Sequence, residues 1–275
     1  YSAPPFHRVV DPSPFIPAAG DERTRRSEEI FSIQAAGLAK RLAHTGIEHL
    51  VLGLSGGLDS TLALLVSLRA LDVLGLSRDR IHAFSMPGFG TSGRTRANAA
   101  RLAQACSVSF EEIDIREGCA RHFQDIGQPA DRQDVTFENV QARYRTMLLM
   151  SKANQLRGLV VGTGDLSELA LGWNTFGGDH LSHYDVNAGV PKTLVRYLVD
   201  WASGQPGFEG ARDTLRDVLD TPISPELVSG GSGDGVFQKT EDLIGPYALH
   251  DFFLYHFARW ESRPAKILFL AEQAF

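Results

Sequence analysis

The sequence predicts an α/β fold: a parallel sheet with helices on both faces, followed by a mainly helical carboxyl-terminal portion. Three observations predict it. Short apolar runs alternate with longer amphipathic ones from Ser27 to Leu166. The first apolar run passes through a glycine-rich turn, "LSGGLDS", straight into a helical pattern. The composition is that of an ordinary globular chain, 275 residues of which 43% are hydrophobic and 22% charged.

The elements follow in order. Residues 1–20 hold five prolines and few helix formers, which predicts an extended segment. The organisation expected is a proline-rich linker over 1–27 and one domain over 28–275. A helix is predicted from Ser27, with the serine as cap, acids in the first turn and Gly46 at the end. "HLVLGL" (49–54), "RIHAFSM" (80–86), "FEEIDI" (110–115) and "GLVVGT" (158–163) read as strands. Between them, "STLALLVSLRALDVLG", "TRANAARLAQACS" and "FENVQARYRTMLLMSKANQLRG" read as helices. Strand–helix alternation at this spacing implies right-handed crossovers and hence a parallel sheet. Beyond Leu166 the clearest helices are "VPKTLVRYLVDWA" and "GPYALHDFFLYHFARW", separated by a Gly/Ser run over 228–235 that reads as mobile.

Charge and cysteine content narrow the class. A formal net charge of −6 argues against a general affinity for nucleic acid or an anionic membrane. No apolar stretch is long enough to span a bilayer. Cys106 and Cys119 are the only cysteines, without CxxC or metal-ligand spacing, and read as reduced thiols of a cytoplasmic protein.

The turn after the first strand carries the chemistry. In parallel sheets ligands sit at the carboxyl ends of strands, where helix N-termini favour phosphate. Gly56 and Gly57 let backbone N–H groups approach an anion closely, and Ser55, Ser60 and Thr61 offer hydroxyl donors. The block fits neither G-x-x-x-x-G-K-[ST] nor G-x-G-x-x-G. Asp59 stands among these groups as an acid, so a phosphate reading requires Mg²⁺ between acid and phosphate. The alternative is that Asp59 or Ser60 caps the helix. "GTGDLSELALGWNTFGGD" (162–179) follows another strand and offers Thr163, Asp165 and Glu168: one of the two acids is a candidate second metal ligand, and Asp165 and Ser167 are alternatively helix caps. Asn139 and Arg143 share one helix face at i and i+4, as a site or as a solvated face. His180, His183, His250 and His256 read as structural or substrate-lining groups.

The loop resembles the PP-loop of ATP pyrophosphatases, which cleave ATP between the α and β phosphates. With "MPGFGTSGRT", "ENVQARYR", "VVGTGDLSELALGWNTFGGDHLSHYDVNAGVPKTLVRYL", "ISPEL" and "QKTEDLIGPYALHDFFLYHF", the chain closely resembles the synthetase domains of glutamine-dependent NAD⁺ synthetases from about Pro14 onward. That resemblance implies a Rossmann-like fold of the adenine-nucleotide hydrolase type. It implies amidation of deamido-NAD⁺ by ammonia, driven by ATP and Mg²⁺ through an acyl-adenylate. The proline-rich start resembles the connection from a glutaminase domain that would supply the ammonia. In the family a basic stretch, whose lysine reaches the substrate, follows the helix "AKILFLAEQAF". Gly93 stands where many relatives carry an acid.

By resemblance, Gly53, Leu54, Ser55 and Gly56, then Gly57, Leu58, Asp59 and Ser60, bind ATP phosphates. Asp59 and Glu168 hold Mg²⁺, Thr163 contacts ATP, and Lys192 offers a cation to the phosphates. Read from its position alone, Lys192 is equally a surface residue at a helix start. Asn139, Arg143 and Glu168 bind deamido-NAD⁺ with Trp173, Asn174, Thr175 and Phe176. Trp173 or Phe176 either stacks on the pyridine ring or packs in the core. Ser224, Thr240 and Glu241 fit a lid over ATP. A homodimer or higher homo-oligomer is expected, with the 137–158 helix split between core and interface through Met147, Met150, and Ala153 or Asn154.

Overall fold

The computed structural model describes residues 6–129, 131–221 and 240–275. The strands are β1 (His49–Gly53), β2 (Ile81–Ser85), β3 (Ser109–Glu112), β4 (Gly158–Gly162) and β5 (Tyr184–Asp185). They form one parallel sheet in the order β3-β2-β1-β4-β5. The chain builds outward from β1 to β3, then crosses back to place β4 on the other side of β1. That reversal opens a crevice between the turns after β1 and β4, where open α/β sheets bind ligands.

Side-chain alternation along the central strands separates two cores. Leu50 and Leu52 of β1, Ile81 and Ala83 of β2, and Leu159 and Val161 of β4 join one cluster. It is covered by α1 (Asp21–Thr45), α2 (Leu58–Leu74), α3 (Gly93–Ala105), α7 (Lys192–Ser203) and α8 (Arg212–Leu219). Val51, Phe84 and Val160 point the other way, towards α4 (Arg116–Ile126) and α5 (Val135–Leu156). Strands buried on both faces read as continuous apolar runs, which is why these were legible. The short α6 (Leu166–Leu171) follows β4. After α9 (Thr240–Ile244), helices α10 (Tyr247–Trp260) and α11 (Pro264–Ala274) form a third cluster, and α10 leans on α6 and α7. Among the described residues no helix is long and apolar enough to cross a membrane.

Three expectations are corrected. Helix α1 begins at Asp21, so 21–27 are helix rather than linker, and Ser27 is buried within it rather than capping it. Glu22 pairs with Arg25 and Arg26, and Arg26 with Glu29, at helical spacing, which with Asp21 in the first turn carries the helix back to Gly20. The third strand stops at Glu112; Ile113 and Ile115 still donate backbone bonds to Ser85 and Pro87, but irregularly. Strand β5 was not foreseen, because two residues carry no period of their own. The 222–239 stretch, with Ser224 and the Gly/Ser run, lies outside the described residues.

Candidate active site

The glycine-rich turn is built as much by packing as by any ligand. Leu54 N–H still donates to Phe84 of β2, and Ser55 to Gly57 then turn into α2. Gly56 has φ 87°, and a Cβ there would lie 2.1 Å from the Thr95 carbonyl oxygen. Glycine is therefore required by backbone conformation and by the approach of α3. Gly57 is the N-cap of α2 without a side-chain cap bond, which excludes a capping role for Asp59 or Ser60. The Thr61 hydroxyl is not a ligand donor as expected: fully buried, it donates to Gly57 O at 2.7 Å. Ser60 also turns inward, donating to Gly57 O, with its oxygen 3.1 Å from that of Ser55.

Three acids converge on one lysine beside this turn. Asp59 comes from the first turn of α2, Asp165 and Glu168 from the start of α6, and Lys192 from the start of α7. Lys192 Nζ lies 2.8 Å from Asp59 Oδ2, 2.6 Å from Asp165 Oδ2 and 2.8 Å from Glu168 Oε1. Its side chain is 3% exposed, so Lys192 is an interior cation and not a surface residue. Asp165 does cap α6, in a reciprocal capping box with Glu168, and it also faces the lysine. Of the sequence alternatives, the cap is present in Asp165.

Electrostatics follow from crowding and burial. Burial, reinforced by the charge of Asp59, pushes Asp165 up to about 6 and Glu168 up to about 8. Burial alone would lower Lys192, yet the charges of Asp59, Glu168 and Asp165 hold it well above its usual range. Three carboxylates against one ammonium leave excess negative charge. One oxygen from each of Asp59, Asp165 and Glu168 lies within 4.8 Å of the others. Asp59 Oδ1 is buried without a hydrogen-bond partner. Hard oxygen donors with an unsatisfied acceptor among them fit Mg²⁺.

Asn187 was missed in the sequence. Fully buried, it donates from Nδ2 to Asp59 O at 3.0 Å and to Thr163 O at 3.2 Å. Its Oδ1 accepts from Gln34 of α1. It ties the turn after β1 to the turn after β4, and its partners are 128 and 153 residues away from it in sequence for Asp59 and Gln34. No local pattern signals such a residue.

A cleft of about 580 Å³ is lined by Gly57, Leu58, Asp59, Thr163, Glu168 and Lys192 together with the 173–176 loop. Asn139 Oδ1 accepts from Phe176 N–H at 2.8 Å, and Arg143 Nε donates to Phe176 O at 2.8 Å. The shared helix face pins that loop, from a buried Asn139 and an exposed Arg143. Arg143 stands behind the loop, with its guanidinium 5.7 Å from the Phe176 ring, while Asn139 lines the cleft. Phe176 is 80% exposed and Trp173 40%, so neither is a core residue. Thr240 lines the cleft, whereas the Glu241 carboxylate accepts from Tyr247 N–H and so caps α10. Of the histidines, His180 lines the cleft; His183 Nδ1 accepts from Val160 N–H, and His250 contacts Ile244 O.

Sheet order and turn define a Rossmann-like α/β domain, with the acid–lysine cluster at the sheet's reversal point. Residues 30–222 match the family model described as NAD synthase, and the chain belongs to that family. It is 48% identical over 273 residues to glutamine-dependent NAD(+) synthetase of Mycobacterium leprae, covering 97% of this chain and 40% of the relative. It is 30% identical over 250 residues to the protein of the same name from Aquifex aeolicus, covering 90% and 41%. The chain thus spans about two fifths of the length of these curated relatives. Among solved structures it is similar to glutamine-dependent NAD+ synthetase from Acinetobacter baumannii in complex with ADP. There the TM-score is 0.63 and the identity 26%, covering 94% of this chain and 43% of that one. NMN synthetase from Francisella tularensis shares the fold, with TM-score 0.69, 22% identity and coverage of 90% and 94%.

Proposed function

We propose that this chain catalyses ATP- and Mg²⁺-dependent amidation of deamido-NAD⁺ to NAD⁺. The observation that carries the reading is that Asp59, Glu168 and Lys192 of the acid–lysine cluster line the same cleft as the Trp173–Phe176 loop. A carboxylate is a poor electrophile. Its oxygen attacks the α-phosphorus of ATP, the α–β bridge breaks and pyrophosphate leaves. Ammonia then attacks the acyl carbon, AMP departs with the activated oxygen, and loss of a proton from nitrogen leaves the amide. Gly56, Gly57 and the start of α2 receive the phosphates, and Lys192 is placed to meet their charge. Asp59 and Glu168 would hold Mg²⁺, which would supply positive charge to offset that of the triphosphate. The test is product analysis with ATP, Mg²⁺, deamido-NAD⁺ and ammonium. AMP and pyrophosphate in step with NAD⁺ are expected; ADP and phosphate as stoichiometric products refute the assignment.

The 173–176 loop is the proposed seat of deamido-NAD⁺. An aromatic ring held in solvent by bonds to both sides of its own peptide backbone is suited to stacking. Phe176→Ala is expected to raise KM for deamido-NAD⁺ about tenfold, the worth of one lost stacking contact. The melting temperature should stay near that of the parent, because the ring is exposed. An unchanged KM counts against stacking there.

Nitrogen enters as ammonia. Burial pushes both Cys106 and Cys119 up to about 11, so neither offers a thiolate at neutral pH. Glutamine hydrolysis is assigned to a glutaminase domain outside this chain, reached through the proline-rich stretch. The working unit is proposed as a homodimer through α5. Met150 and Ala153 pack inward, so the expected stripe is divided, but Met147 and Val135 remain exposed on that helix. Sedimentation at micromolar concentration should show a dimer. A monomer that binds deamido-NAD⁺ normally rules out a shared site.

A further inference from the structure

The spacing of Glu168 and Lys192 depends on how the starts of α6 and α7 are held. Pro191 precedes α7 and supplies no side-chain cap, so the first N–H groups of that helix need acceptors from elsewhere. Lys192 N–H donates to Ser167 Oγ at 2.9 Å. Thr193 N–H donates to Asp251 Oδ2 at 3.0 Å, and the Thr193 hydroxyl donates to the same oxygen at 2.6 Å. The Ser167 hydroxyl in turn donates to Asp251 Oδ1. Asp251 is 2% exposed, on the side of α10 that meets α6 and α7. Its two oxygens therefore grip the residue before Glu168 and the residue after Lys192.

A buried carboxylate is tolerated when several donors satisfy it, and the N-terminus of a helix favours negative charge. Asp251 has three donors and sits at the N-terminus of α7, so its burial is accounted for. The same bonds leave little freedom between α6 and α7. Ser167 and Glu168 are adjacent on one short helix, and Lys192 and Thr193 are adjacent on the other. A shift of Asp251 thus moves both functional groups relative to each other.

We propose that Asp251 is a positioning residue: it sets the Glu168–Lys192 spacing on which ATP binding depends. This rests on the ATP reading given above. Asp251→Asn keeps the shape but removes the charge: its Nδ2 must either face Ser167 Oγ, reversing that bond, or displace both Thr193 donors, so the charge-assisted grip on the two helices weakens. Ser167→Ala removes the link from Asp251 to α6 together with the acceptor of Lys192 N–H, leaves the Thr193 bonds in place, and tests the same bridge should the asparagine variant fail to fold. For each variant of the full chain, KM for ATP and for deamido-NAD⁺, kcat, and the calorimetric ATP dissociation constant are measured. Positioning predicts that KM and the dissociation constant for ATP rise about tenfold, as for outer-shell partners of other sites. KM for deamido-NAD⁺ should rise less than KM for ATP, because Glu168 alone of its proposed contacts is moved and the 173–176 loop is held separately. A merely structural role lowers kcat with the folded fraction and leaves the ATP constants of the folded protein unchanged; that result overturns the proposal. Failure of the parent chain to bind ATP would refute the functional reading instead, which separates the two.

Discussion

Asp59→Asn and Glu168→Gln are each expected to lower adenylate formation about a hundredfold or more while the domain stays folded. Both substitutions preserve shape and remove a charge that would bind the cation. Stability should survive Asp59→Asn because the acids outnumber the one ammonium, and losing that charge relieves its repulsion of Asp165 and Glu168. For Glu168 the argument is sharper. Burial and the charge of Asp59 raise it from its usual 4.5 to about 8, so without a cation it is mostly neutral at pH 7, and glutamine resembles that neutral form. A carboxyl with a raised pKa keeps a proton that the unfolded chain has already lost. Its contribution therefore makes stability fall as pH rises from about 4.5 to about 8, and Glu168→Gln should flatten that slope. ATP–pyrophosphate exchange at limiting Mg²⁺ and urea unfolding at several pH values check the two halves. Near-parental exchange in either variant removes that residue from metal binding.

The parts of this site that were legible share one property: their reason is local. "SGGLDS" and "GTGDLSE" each follow an apolar strand and open a helix, so strand end, turn and acid stand together in the sequence. Lys192 was ambiguous, because a lysine at a helix start is ordinarily solvated. Its burial comes from elements distant in sequence: the starts of α2 and α6 press their acids on it, and the Tyr247 ring of α10 lies 5.5 Å from its Nζ. Asn187 and Asp251 were illegible for the same reason in stronger form. Each is a buried polar side chain whose partners lie far away in sequence, and a lone Asn or Asp in a helical or loop pattern carries no mark of that. The Gly56 requirement was legible in residue type but not in cause. A turn that holds phosphate and a turn that must admit the Thr95 carbonyl both demand glycine.

Removing the lysine should have the largest effect on the fold itself. Lys192→Met keeps much of the side-chain volume and deletes the only ammonium within reach of Asp59, Asp165 and Glu168 among the described residues. Breaking a buried ion cluster by taking away one partner costs about 3–5 kcal/mol, because the opposite charge stays behind. Here the carboxylates have an escape. The charge of Lys192 lowers both Asp165 and Glu168, so without it both rise further and take up protons more readily. The native variant then holds protons that the unfolded chain lacks, and its stability falls as pH rises through those raised values. The expected deficit is accordingly modest at pH 5 and reaches about 3 kcal/mol or more at pH 8. Millimolar Mg²⁺ should recover more stability in the variant than in the parent. In the parent, ammonium and metal compete for the same oxygens; in the variant, the metal alone neutralises them. Urea midpoints at pH 5 and pH 8, each with and without Mg²⁺, read out the four cases. Equal deficits at both pH values, with no extra response to Mg²⁺, would mean that Lys192 acts through packing and not as the counter-charge of the acid cluster.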